Sequence, residues 1–197
     1  SKNSAGKTAS KVGRDILFIE RNLDFLKPGG RMAIVLPQGR FNNSSDKYIR
    51  DYIAERCRIL AVVGLHGNVF KPHTGTKTSV LFVQKWDDVL CPKKEDYPIF
   101  FATMQEPSKD NSGEKIFVKK GDYPYARINK EEAVANNIVC DPPAHYEVTP
   151  KENNEYLLDS HGHLIVKHDL FNHDGLTKDG IAEAFAEFAK KEGLSFF

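Results

Sequence analysis

Apolar positions recur at helical spacing from Arg14 to Leu26, with Ile16, Ile19, Leu23 and Leu26 on one face, and Pro28-Gly29-Gly30 ends the run. Arg31–Leu36 is then short and almost continuously apolar, the pattern of a strand covered on both faces. Asn43-Ser44-Ser45-Asp46 offers N-cap side chains for a second helix over about 46–57, in which Tyr48, Ile49, Tyr52, Ile53 and Cys57 are spaced to face a sheet. Ile59–Leu65 reads as a second buried strand, His66–Lys77 as a Gly-, Pro- and Thr-rich loop, and Thr78–Lys85 as a third strand. A helical crossover between the first two strands suits parallel pairing, whereas only a loop joins the last two. The pattern predicts one half of a doubly wound α/β sheet. Such sheets bind ligands at the carboxyl ends of their strands, which directs attention to Pro37-Gln38-Gly39.

Beyond Trp86 the character changes. Asp87–Asp96 is polar, with Cys91-Pro92 inside it, and reads as a linker or edge loop. Pro98–Thr103 and Lys115–Lys119 have strand length and are joined by the polar stretch Glu106–Glu114. Asp141–Asn154 is a proline-bearing loop, and Tyr156–Leu158 with His163–Lys167 reads as a small hairpin around Ser160-His161-Gly162. Thr177 is placed to cap a terminal helix over about 178–191, with Ile181, Ala182, Phe185, Phe188 and Ala189 on one face. The expected division is therefore 1–86, an α/β half-sheet, and 87–197, an α+β extension ending in that helix. No repeat and no coiled-coil heptad stands out.

Charge and composition narrow the chemistry. A formal net charge of +1 gives no global case for nucleic-acid binding, so any DNA contact must come from a local patch. No stretch is apolar for long enough to span a membrane, no signal peptide is evident, and the three widely spaced cysteines (Cys57, Cys91, Cys140) suit neither a disulfide framework nor a zinc site. A reducing, cytoplasmic setting is expected. Residues 1–13 are small, polar and basic, as in a flexible segment; Gly6-Lys7-Thr8 matches only the end of a P-loop, whose first glycine and preceding strand are missing.

Residues Asp15 to Trp86 resemble the adenine-specific DNA methyltransferases, and most closely the modification (M) subunit of type I restriction enzymes. The resemblance is carried by Leu17-Phe18, Leu26-Lys27-Pro28-Gly29-Gly30-Arg31, Ile34-Val35-Leu36-Pro37, Ile49-Arg50, Val62-Val63-Gly64-Leu65, and Phe70 with Thr74-Gly75-Thr76-Lys77-Thr78. Ser79-Val80-Leu81-Phe82-Val83-Gln84-Lys85 closes the block. It implies a partial Rossmann-like sheet in which 31–36 and 59–65 are the fifth and sixth strands and 78–85 the seventh, running antiparallel between its neighbours. It also implies methyl transfer from S-adenosylmethionine to the exocyclic amine of an adenine flipped out of the duplex. The partners implied are DNA and the specificity and restriction subunits of a type I complex.

In that family an Asn/Asp-Pro-Pro-aromatic motif holds the amine, and a glycine-rich turn holds the cofactor. Neither is found here as a complete motif, so the chain reads as a C-terminal fragment with no catalytic residue of its own, no metal and no bound cofactor expected. Val139-Cys140-Asp141-Pro142-Pro143-Ala144 resembles the motif, but Ala144 cannot stack on a base, and Asp-Pro-Pro suits a rigid turn. What remains is the rim of a site. Pro37, Gln38 and Gly39 border the strand end, and Phe70 stands where related enzymes place an aromatic against the flipped base, an arrangement worth about 1–3 kcal/mol. A strand exit and a core phenylalanine account for the same residues. Lys71, His73, Thr74, Thr76 and Lys77 can reach phosphate, or serve simply as a solvated loop. His66 has no nucleophile to pair with, Arg50 either caps or bridges on its helix face or touches ligand, and Phe185 and Phe188 are core or subunit-docking anchors. The alternative to the enzyme reading is a non-enzymatic module that docks on DNA or on partner subunits. As a fragment, strand 31–36 is expected to lack its inner neighbour, and the apolar edge this leaves open implies self-association as a dimer that covers it.

Overall fold

The computed structural model describes residues 13–122 and 155–194. These fall into two compact units, one of residues 1–67 and 75–103, the other of 68–74 and 104–197.

The first unit is a helix layer on one face of a mixed four-stranded sheet. Helix α1 (Arg14–Phe25) buries Ile16, Ile19 and Leu23, the stripe that its spacing predicts. Its last turn lacks a basic residue, and Lys85 supplies one from elsewhere: Nζ donates to the carbonyls of Leu23 (2.9 Å) and Leu26 (2.8 Å), satisfying groups that a helix end leaves bare. The turn after α1 needs Gly29, which has φ +69° and whose added Cβ would lie 2.6 Å from Leu90 Cβ. The Gly29 carbonyl accepts from Gln84 Nε2 (3.0 Å), its amide donates to the Lys85 carbonyl (3.1 Å), and the chain enters β1 (Arg31–Pro37).

After β1 come the single turn α2 (Gly39–Asn42), a 3-10 turn over Ser44–Asp46, helix α3 (Lys47–Arg56), and then β2 (Cys57–Gly64), β3 (Thr78–Lys85) and β4 (Phe100–Thr103). The order across the sheet is β1-β3-β2-β4. Strand β3 lies between β1 and β2 and runs antiparallel to both, while β4 pairs parallel with β2. In register, Met32, Ile34 and Leu36 oppose Val83, Leu81 and Ser79. The apolar members of that face pack with Ile16, Ile19, Leu23, Ile49, Ile53 and Cys57 into one core. Cys57 is fully buried, and burial pushes its thiol up to about 11. The opposite face begins with Ala33 and Val35 on β1, both exposed.

The segment after Trp86 is tied to this unit. Trp86 Nε1 donates to the Ala54 carbonyl (3.0 Å), the Tyr97 hydroxyl accepts from the Ile59 amide (3.2 Å), and the two rings meet edge to face at 5.7 Å.

The second unit is small and mostly irregular. Lys115–Lys119 is not a continuous strand but part of a set of isolated bridges, Phe117 to Val166, Lys119 to Tyr156 and Leu158 to Leu164, around buried Val118, Leu157 and Ile165. Each segment changes partner after a single bridge, Phe117 pairing with Val166 but Lys119 with Tyr156, which leaves no consecutive pairs for a ladder. Two turns share one design: Asp110 Oδ1 accepts from the amides of Ser112, Gly113 and Glu114, and Asp159 Oδ1 from those of His161 and His163. Helix α4 (Ile181–Lys191) starts with its first apolar residue, later than a cap at Thr177 would place it. Its N-cap is Gly180 rather than Thr177, because the Glu183 carboxylate takes the Gly180 amide (2.8 Å). Thr177 is buried, with its hydroxyl unpartnered.

Candidate functional site

The carboxyl end of β1 is built by an ionic network that the sequence did not suggest. Pro37 pairs with Thr78, and the Gln38 amide donates to the Lys77 carbonyl (3.0 Å), so pairing with β3 continues one residue past the strand. Gln38 is exposed and caps α2 with its backbone, its carbonyl accepting from the Phe41 amide (3.0 Å). Directly after Gly39, Arg40 spans two carboxylates: Nε donates to Asp15 Oδ2 (2.6 Å) and Nη1 to Asp46 Oδ2 (2.9 Å). The hydrogen bond that Arg40 donates to Asp15 is the main influence that raises its already high pKa, so its charge is fixed. Asp46 therefore does not cap α3 with its side chain. Arg50 does the capping work for the turn, donating from Nη1 to the carbonyls of Arg40 (3.1 Å) and Asn43 (2.8 Å). Sequence reasoning missed this arrangement because Asp15 and Arg40 lie 25 residues apart with nothing in their spacing to link them.

The proposed rim residues are divided between the two units. Pro37, Gln38, Gly39, Thr76 and Lys77 belong to the first; Phe70, Lys71, His73 and Thr74 belong to the second. In the second unit the segment 68–74 closes on itself and on the turn at 109–113. The Lys71 amide donates to the Asn68 carbonyl (3.0 Å) and the Thr74 amide to that of Phe70 (3.1 Å). Asn68 Nδ2 donates to the Lys109 carbonyl (3.0 Å), and Lys109 Nζ returns a bond to the Lys71 carbonyl (2.8 Å). Gly113, at φ +102°, admits the approach; a Cβ there would lie 2.6 Å from Pro72 Cδ. With its backbone held, the segment leaves Phe70 38% exposed, and His73, Thr74, Thr76 and Lys77 are exposed as well, while Lys71 is half-buried. Phe70 is thus not a core phenylalanine. His66 is half-buried, and Phe185 and Phe188 are half-buried on α4 with ring centroids 6.1 Å apart. The Asp141-Pro142-Pro143 turn lies outside the described residues.

S-adenosylmethionine would need an acidic group for its ribose and a glycine-rich turn. The described residues at the β1 end do not fit it: Pro37, Gln38 and Gly39 bring no carboxylate, and Asp15 and Asp46 are committed to Arg40. Among the described residues no group of three metal-ligating side chains is found. No helix there is long and apolar enough to cross a membrane.

Strands parallel at β1 and β2, an antiparallel strand between them and helices in the connection define an open, mixed α/β sheet. The N-6 DNA methylase family model matches residues 1–154, and the chain belongs to that family. The likeness to type I modification subunits read from the sequence holds: the chain is 37% identical over 70 residues to the type I restriction enzyme EcoEI methylase subunit of Escherichia coli. That match covers 35% of this chain and 14% of the relative. Among solved structures it resembles the type I restriction enzyme EcoKI M protein, at 17% identity and a TM-score of 0.41 over 96% of this chain and 46% of the other. It also resembles a protein from Listeria monocytogenes named as a class I S-adenosylmethionine-dependent methyltransferase, at 25% identity and a TM-score of 0.41 over 51% and 29%. The chain therefore spans less than half the length of these relatives.

Proposed function

We propose that this chain is the C-terminal part of an adenine-specific DNA methyltransferase of a type I restriction-modification system. Residues 1–86 would form the C-terminal half of the S-adenosylmethionine-dependent domain and residues 87–197 its extension. The single observation that carries the reading is the position of β3, antiparallel between the parallel strands β1 and β2, within the residues matched by the N-6 DNA methylase family. The larger protein would transfer a methyl group from S-adenosylmethionine to the exocyclic amine of adenine, in the cytoplasm. Its partners would be DNA and specificity and restriction subunits. Phe70, exposed on a pinned segment, suits stacking on an unpaired base. Lys71, His73, Thr74, Thr76 and Lys77 suit contacts to phosphate, and Pro37, Gln38 and Gly39 the outer rim of a base or cofactor pocket whose ligand-holding groups would come from other parts of the larger protein.

This chain alone is catalytically silent on that reading. Isothermal titration with S-adenosylmethionine tests the claim: no saturable heat is expected, and clear binding overturns it and makes Asp141-Pro142-Pro143 the first segment to mutate. The assignment to adenine methylation has its own test. Residues 15–86 exchanged into the EcoEI methylase subunit should support methyl incorporation into its DNA; a folded chimera that assembles but transfers no methyl group counts against it.

A second reading, an interaction module, is favoured by the outer edge of β1. The Lys85 amide donates to the Gly30 carbonyl and the Gln38 amide to that of Lys77, so the even-numbered residues of β1 bond to β3. The amides of Arg31, Ala33 and Val35 consequently point outward, along a stretch whose only charge is Arg31. Among the described residues no strand covers them. Such an edge recruits a second copy of the chain.

A further inference from the structure

Residues 168–180 form a loop closed on the first turn of α4. The Asp169 and Leu170 carbonyls accept from the amides of Ile181 (3.0 Å) and Ala182 (2.8 Å). In return, the Glu183 carboxylate accepts from the amides of Asn172 (3.0 Å) and Gly180 (2.8 Å). Inside the loop, His168 and His173 meet Nε2 to Nε2 at 3.0 Å, and the Leu170 amide donates to His168 Nδ1 at 3.2 Å. These two contacts fix both tautomers. His168 Nδ1 is an acceptor, so its proton is on Nε2 and is donated to His173; His173 Nε2 is an acceptor, so its own proton is on Nδ1. Both rings are neutral in this arrangement. The Phe171 ring lies against both, at centroid distances of 4.6 and 4.5 Å. His173 and Asp174 hold φ of +48° and +57°, a left-handed pair of non-glycine residues that persists only where contacts over-determine it.

We propose that the His168–His173 pair is a proton-operated latch, which keeps the 168–180 loop docked on the amino end of α4 and frees it on acidification. A proton on His168 Nδ1 would face the Leu170 N–H, and a proton on His173 Nε2 would face the His168 N–H. Either addition removes one bond and places two donors together, so the pair cannot take a proton while closed. The charged groups around it are Asp169 near His168, and Asp159, Asp174 and Glu183 near His173, the last from α4 itself. They favour protonation, but burial outweighs them and holds both imidazoles below the ordinary value. Among the described residues the pair is not joined by a third His, Cys, Asp or Glu into a metal-ligating group.

The test is a two-dimensional NMR titration of the whole chain from pH 7.5 to 5.0, following the His168 and His173 rings and the amide protection of Ile181 and Ala182. Expected are ring midpoints below about 6.5, with a fall of roughly tenfold or more in both protection factors over the same range. The amides of Val118 and Ile165, bonded in the small bridged sheet, should keep theirs. His173→Gln supplies an acceptor oxygen that cannot be protonated and removes one of the two titrating sites, so Ile181 and Ala182 should stay protected at pH 7.5 and lose less protection at pH 5.0 than in the wild type. Should that variant open the loop at pH 7.5, the wild-type titration decides alone. Ring midpoints at or above 6.5, protection indifferent to ring titration, or an undiminished pH response in a closed His173→Gln each overturn the latch.

Discussion

Replacing Arg40 with methionine tests how the end of β1 is held. The substitution keeps an unbranched stem and removes both charge-assisted bonds. The arm to Asp15 joins side chains 28% and 30% exposed, and solvent screening limits it to about 0.5–1 kcal/mol despite its 2.6 Å length. The arm to Asp46 differs, because the Asp46 side chain is only 9% exposed and would be left without its cation. Breaking a buried pair costs about 3–5 kcal/mol, and the partial exposure of Arg40 places this one at the lower end, about 3 kcal/mol. A total near 3–4 kcal/mol corresponds to a fall in Tm of roughly 10 °C for a chain of this size. Trp86 is the single tryptophan and belongs to the same unit, its indole bonded to Ala54, so its fluorescence in a urea titration reports the loss directly. The double variant Arg40→Met with Asp46→Leu should recover at least 1 kcal/mol of the sum of the two single losses. A loss below about 1 kcal/mol for Arg40→Met, or strict additivity in the cycle, would show that the network does not hold the turn.

Four further outcomes are expected. Gly29→Ala forces a Cβ into Leu90 at a left-handed φ and should cost about 2 kcal/mol or more in the same urea titration; an unchanged midpoint would refute the need for glycine there. Val35→Lys, on the outward-bonding edge of β1, should convert a self-associating chain to a monomer in sedimentation velocity, whereas a monomeric wild type would remove the edge argument. Cys57 and Cys91 are buried with thiol pKa values pushed up by desolvation, so neither should react with iodoacetamide at pH 8 until urea unfolds the first unit; rapid native labelling of either would contradict the packing. Because both latch imidazoles bind protons less readily when folded, stability of the α4 region should be intact above about pH 6.5 and decline as pH falls below it. Thermal melts showing the opposite slope would reverse the sign of that linkage.

The periodicity of the chain read the first unit closely. The stripe Ile16, Ile19, Leu23 located α1, and the unbroken apolar runs located β1 and β3 to within a residue. These signals are local, being set by which face a residue must bury. Partnerships that depend on distant residues were not legible. Asp46 stands in a run of N-cap residues, yet its carboxylate is claimed by Arg40, and Lys85 looks like the end of a strand but caps a helix some 59 residues earlier. The cap at Gly180 was missed for a related reason, since glycine lacks the side chain that marks a cap and Glu183 provides the bond instead. Of the candidate rim, the sequence located the exposed stretch around Phe70 but not what steadies it, because Asn68 and Lys109 are ordinary polar residues 41 positions apart.

That separation bears on the order in which the chain folds as it is made. Segment 68–74 lies between β2 and β3, but its anchors, Lys109 and the glycine turn at 113, emerge later. At about 5–20 residues per second, the 41 residues between Asn68 and Lys109 take roughly 2–8 s to add. Strands β2 and β3 can therefore pair first around a connection whose tip has nothing to bind. The exposed aromatic at residue 70 takes its final setting only when the second unit arrives.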